Sequence, residues 1–89
     1  MYPKRHHTVI LEREQDIVIL FHCSTGEMKK TNEMGALLWS LCDGRHSLHD
    51  MVAHVKKTCT DVPETVNEDV QKFIHSLREA QFVESDIDV

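Results

Sequence analysis

Seven histidines and three cysteines in 89 residues are the side chains best suited to chemistry, as metal ligands, bases or nucleophiles. The tightest group is Cys42, His46 and His49. Zinc sites favour close ligand pairs such as CxxC or HxxxH on fixed elements. This spacing supplies neither pair, because Cys42 falls on an apolar helical stripe while His46 and His49 straddle a helix start. The group therefore reads as a buried thiol beside two solvated histidines, and no metal is expected. His22 and Cys23 have the types of a base and a nucleophile, but adjacent strand residues point to opposite faces. Asp50 and His54, four apart on one helix, make a surface pair. No Ser-His-Asp set, paired carboxylates in a cleft or glycine-rich phosphate loop can be assembled, so nothing meets the requirements of a catalytic constellation. The sequence reads as a non-enzyme without a cofactor.

What remains is the chemistry of the backbone. Glu27 to Thr31 (EMKKT) has the composition of a short, charged edge strand, with Lys29 and Lys30 guarding it against unwanted pairing. The outer N–H and C=O groups of such a strand are a place where an extended peptide could add.

The elements that position this strand follow from periodicity. Thr8–Arg13 (TVILER) and Asp16–Cys23 (DIVILFHC) are rich in β-branched and aromatic residues and predict a hairpin. In the second strand Ile17, Ile19 and Phe21 point one way and Val18, Leu20 and His22 the other, so both faces are largely apolar. That suits a central strand, or a sheet whose second face meets a partner. Gly26 offers the positive φ that a short turn into Glu27–Thr31 needs.

Three helices come next. Asn32 is a good N-cap, and Met34, Leu37, Leu38, Leu41 and Cys42 form one stripe. Trp39 lies off that stripe, Gly35 permits close approach of another backbone, and Asp43-Gly44 predicts the helix end. Ser47 with Asp50 predicts an acidic capping box for the second helix, whose stripe is Leu48, Met51, Val52, Val55 and Cys59. Thr65 with Glu68 predicts another for the third, with stripe Val66, Val70, Phe73, Ile74 and Leu77 and an end near Gln81. Phe82-Val83-Glu84 leaves it extended. Residues 1–7 are polar enough to fray, and 85–89 form an acidic tail. The expectation is a single α+β domain over 1–89, with a three-stranded antiparallel sheet followed by three helices (β-β-β-α-α-α) in the general plan of a winged helix-turn-helix.

Composition narrows the partners. A formal charge of −5 and a pI near 5.7 argue against nucleic acid, whose affinity rests on neutralising phosphates with Lys and Arg. A winged-helix DNA-binding regulator is the alternative reading, yet the third helix carries Glu64, Glu68, Asp69 and Glu79 against Lys72 and Arg78. No apolar run approaches the length that spans a bilayer, the start MYPKRHHTVI has no signal-peptide core, and the three cysteines suggest no disulfide framework. The expected location is the cytoplasm, away from membranes. A homodimer is left open.

From Gly26 to Val83 the sequence resembles the PqqD family, the small proteins and domains also called RiPP recognition elements. The residues that carry the resemblance are the strand ending at Asn32, Gly35, the Leu38-Trp39 pair, Asp43-Gly44, Ser47-Leu48, Asp69-Val70, Phe73-Ile74, Leu77 and Phe82-Val83. Two positions depart from the family's pattern: Thr31 stands where a leucine is usual, and Gln81 where a glycine is usual. The resemblance implies a peptide chaperone for natural product biosynthesis. It would bind the leader region of a ribosomally made precursor peptide and present it to a modifying enzyme, such as a radical SAM protein, a leader peptidase or a cyclodehydratase. It also implies where the leader lies, as an added strand beside the third strand in a groove against the third helix. The edge would then come from Glu27, Met28, Lys29, Lys30 and Thr31, and the helix side from Val66, Asp69, Val70 and Phe73.

Overall fold

A computed structural model describes residues 2–59 and 61–84. Three antiparallel strands form the main sheet in the order β2 (Val9–Glu14), β3 (Ile17–His22), β4 (Met28–Thr31). Helices α1 (Glu33–Ser40), α2 (Leu48–Thr58) and α3 (Val66–Glu79) follow, giving the expected α+β order. The register is set by two tight turns. Gln15 takes a left-handed φ of 57° between β2 and β3, and Gly26 one of 79° before β4. Glycine adopts that region without steric cost, and the Gly26 N–H bonds the His22 carbonyl at 2.8 Å.

Sequence alone misses a second, two-stranded pairing. Lys4–Arg5 (β1) pairs antiparallel with Val83–Glu84 (β5). The polarity of residues 1–7 suggests fraying, but the segment is tied along its length. Arg5 N–H bonds the Cys42 carbonyl at 2.8 Å, His6 N–H bonds Phe82 at 2.9 Å, and the Pro3 carbonyl receives Gly44 N–H at 2.9 Å. The Arg5 guanidinium also donates to the carbonyls of Trp39 (3.2 Å) and Ser40 (2.9 Å). Both carbonyls lie at the end of α1, where a cation also suits the helix dipole, and the Trp39 carbonyl also receives Cys42 N–H at 3.1 Å. The tail over 85–89 lies outside the described residues.

Helix ends follow chemistry that periodicity only partly reveals. Asn32 caps α1 as expected, accepting from Gly35 N–H at 3.0 Å. The helix stops at Ser40, however, so Cys42 lies beyond it and Gly44 is no C′ residue. Gly44 keeps a positive φ of 81°, but its work is to let the loop meet Pro3. Ser47 and Asp50 complete their capping box, and the Ser47 N–H holds the Asp50 carboxyl below its usual range. Thr65 does not cap α3 in this way: its ψ is 7°, not extended, so its side chain makes no cap bond. Instead its hydroxyl donates to Asp69 Oδ2 at 3.0 Å.

The core lies on one side of the sheet. Val18, Leu20 and His22 of β3 are buried against the helices, together with Leu38, Trp39, Cys42, Met51, Val55, Val70, Ile74, Leu77 and Phe82. Trp39 is a core residue, 5% exposed. Burial drives the Cys42 thiol up to about 12, with Asp43 adding to the rise and the Arg5 charge opposing it. The shortest dimension of the molecule is 18 Å. That accommodates one sheet and one helical layer, and among the described residues no element covers the other face of the sheet.

Candidate peptide-binding groove

Each residue of β4 has a direction fixed by strand alternation. Its partners across β3 are Phe21 for Met28, Leu20 for Lys29, Ile19 for Lys30 and Val18 for Thr31. Leu20 and Val18 face the helices, so Lys29 and Thr31 do too. Both are half-buried, whereas Met28 and Lys30 stand exposed on the opposite face. Glu27 falls just before the strand, and its carbonyl accepts from His22 N–H at 2.9 Å. The two lysines therefore do different things. Lys29 lies on the helix side with Nζ 5.8 Å from the centre of the Phe82 ring, within cation–π range. Lys30 points away from it.

The outer edge of β4 carries no further strand of the described residues. Beside it, α3 packs chiefly on α2 and β5, so a furrow is left between α3 and β4. At the Thr31 end the furrow deepens into a concavity of about 260 Å³. Thr31, Val66, Asp69, Val70 and Phe73 all line it, which brings five of the sequence-predicted residues to one place. Their roles separate by burial. Val66 and Val70 are buried and form the floor, Phe73 is half-buried on the wall, and Asp69 is exposed at the rim. The Thr65 hydroxyl fixes the Asp69 carboxylate there.

Sequence reading leaves out the α1 side of the concavity. Met34 and Leu38 line it with Asn32, Gly35 and Pro63. Met34 and Leu38 are four apart and share one helix face, a signal that was available but could not be separated from ordinary core packing. Gly35 has a specific reason. A Cβ there would collide with Thr31 Oγ1 and sit 2.8 Å from both Thr31 Cβ and Cγ2. The close approach it permits is to the Thr31 side chain, not to a backbone.

The charge along the furrow is polarised. Lys29 stands toward Phe82, and Asp69 at the Thr31 end. The walls between are Met34, Leu38, Val66, Val70 and Phe73. Such an arrangement, a free strand edge beside an apolar trough with a few charges, suits an extended peptide. The described residues contain no group of three or more metal-ligating side chains and no helix long and apolar enough to cross a membrane.

Comparison with known proteins gives a consistent result. The family described as "Coenzyme PQQ synthesis protein D (PqqD)" matches residues 9–83. Two solved structures have the same fold. One, described as TbiB1 in complex with the TbiA(beta) leader peptide, is 24% identical with a TM-score of 0.75, over 96% of this chain and 99% of that one. The other, lasso peptide synthetase B1 complexed with the leader peptide, is 15% identical with a TM-score of 0.76, over 96% of this chain and 100% of that one. No curated protein matches the chain.

Proposed function

The chain belongs to the PqqD family, and from that premise we propose that it is a non-catalytic carrier for the leader region of a ribosomally made precursor peptide. The leader adds as a strand antiparallel to β4 and lies in the furrow against α3. The observation that carries this reading is the open β4 edge joined to the concavity between Thr31 and α3. Main-chain hydrogen bonds to Met28–Thr31 supply affinity, and side chains entering the furrow supply selection. The binding of leader peptides by the two structural neighbours is consistent with it.

Function follows as placement. The carrier hands its peptide to a modifying enzyme, a radical SAM protein, leader peptidase or cyclodehydratase, and raises the peptide's effective concentration at that enzyme's site. The work is assigned to the cytoplasm, where ribosomal precursors are made. The charge order adds a specificity. In an antiparallel strand, the residue opposite Thr31 comes two positions before the residue opposite Lys29. The groove thus selects an apolar side chain at the concavity and an acidic one two positions later. Lys29 steers the acid, an effect that weakens with salt.

The test is a titration of the full chain with the leader peptide of the precursor encoded beside it, followed by amide shifts. Micromolar binding with shifts at residues 28–31 and at Asp69 and Phe73 is expected. Proline at a central strand position of the peptide removes a ladder donor and weakens binding. Shifts confined to other elements, or retention of duplex DNA at physiological salt, would refute the groove reading.

A further inference from the structure

The exposed face of the sheet is a built surface of its own. Its residues fall in register rows. Ile10, Phe21 and Met28 share one row, Glu12, Ile19 and Lys30 the next, and Glu14 stands beside Ile17 in the third. Ile10 is 46% exposed, Ile17 44% and Met28 58%, so large apolar side chains stand in water together. Among the described residues neither Glu12 nor Lys30 has an ion pair. They flank Ile19 two strand spacings apart, about 10 Å, and do not pair with each other.

We propose that this face is a self-association surface for a second copy of the chain, packed sheet on sheet about a two-fold axis along β3. The charge pattern selects the occupant and the axis. Rotation about β3 places β2 of one copy over β4 of the other. Glu12 then meets the partner's Lys30, and Lys30 the partner's Glu12. Ile10 faces the partner's Met28, and Ile19 and Phe21 lie on their own counterparts. An axis across the strands would instead stack Glu12 on the partner's Glu12, which like charge forbids. Two strands of six residues and one of four cover about 260 Å² per copy, below the ~800 Å² per partner of a standard interface. The dimer is therefore weak and concentration-dependent. Both β4 edges stay open in it, so each copy keeps its furrow.

Sedimentation velocity on the full chain, from about 10 µM to about 1 mM, spans the affinities so small an interface supports. A rising dimer fraction is expected. Lys30→Glu and Glu12→Lys should each weaken association at least tenfold, and the charge-swapped double variant should restore it. Restoration excludes misfolding as the cause of the single-variant losses. Ile19→Glu should abolish dimerisation while amide spectra remain dispersed. A chain monomeric at the top concentration overturns the proposal, as do dimers indifferent to the single reversals or a swap that fails to restore. If the chain stays monomeric while Ile19→Glu blocks binding of a modifying enzyme, the face belongs to that enzyme and the proposal fails. The outcome is separable from that of the leader titration, which reads the β4 edge and α3.

Discussion

The two faces of β3 have nearly the same composition and opposite fates. Val18, Leu20 and His22 lie under the helices, the first two with no exposed surface. Ile17, Ile19 and Phe21 alternate with them and face outward, Ile17 still 44% exposed. Hydrophobicity along the strand cannot separate these sets, because the outward set is at least as apolar. The neighbours decide. On one side the helices and β5 close over the strand, and His22 is satisfied by Nε2 donating to the Gln81 carbonyl at 3.1 Å and Nδ1 accepting from Ser24 N–H at 3.3 Å. On the other side the rows hold Glu12 and Lys30, and among the described residues neither has an ion pair and no element covers them. The sealed face keeps the fold, and the open face is free to meet another molecule.

The sharpest way to break this comparison is to truncate matched residues on the two faces. Leu20→Ala removes a fully buried side chain and leaves a cavity, so it should cost about 2–5 kcal/mol, a large part of what a domain of this size has. Ile19→Ala at the same strand depth should cost under about 1 kcal/mol in monomer, since its side chain keeps contact with water. Urea unfolding of both variants at low protein concentration measures the difference. Equal losses would mean that the outer face is covered in the folded monomer.

The cysteines offer a second contrast, between sealed and open sites. Cys23 is exposed beside the turn after β3, whereas Cys42 is buried and its thiol is pushed up to about 12 from an ordinary 9.0. The folded-state value is the higher one, so folding favours the protonated thiol. That contribution is complete below about pH 9 and is lost as pH climbs toward about 12. The urea midpoint of the parent should therefore fall across this window more steeply than that of Cys42→Ala, which lacks the group. Near neutral pH a thiol reagent should label Cys23 at once and Cys42 only at the rate of global unfolding. Fast labelling of Cys42 would show the core under Trp39 to be open.

Much of this was legible beforehand because it is local. The hairpin, the Asn32 and Ser47 caps and the three helical stripes depend on residues a few positions apart. The α3 residues of the furrow, Val66, Asp69, Val70 and Phe73, came instead from the family resemblance, because helical spacing does not separate a furrow-facing residue from a core one. What escaped is what depends on distant chain. Lys4–Arg5 is a strand only because Val83–Glu84 and the carbonyls after α1 come to meet it. The Thr65–Glu68 box fails because the chain enters α3 through a turn, which turns Thr65 toward Asp69 instead. Lys29 and Lys30 look alike in sequence, and only the register with Leu20 and Ile19 sends one to the groove and the other to the bare face.

The smallest effect concerns the point where the sealed face is tied off. After α3, Phe82 N–H bonds the Leu77 carbonyl at 2.7 Å and Gln81 N–H bonds Arg78 at 3.0 Å. This is a Schellman closure, with Leu77 and Phe82 buried beneath it. Its C′ residue, Gln81, has a φ of 63°, a left-handed conformation that costs a residue with a side chain about 1–2 kcal/mol. Glycine would remove that cost but lose more chain entropy on folding, by about 0.5–1 kcal/mol. Gln81→Gly should therefore stabilise by a few tenths to about 1 kcal/mol, seen as a higher urea midpoint at unchanged slope. The exposed Gln81 side chain is lost, but the carbonyl that receives His22 Nε2 is backbone and remains. A neutral or destabilising result would mean that the closure is held through the glutamine side chain as well.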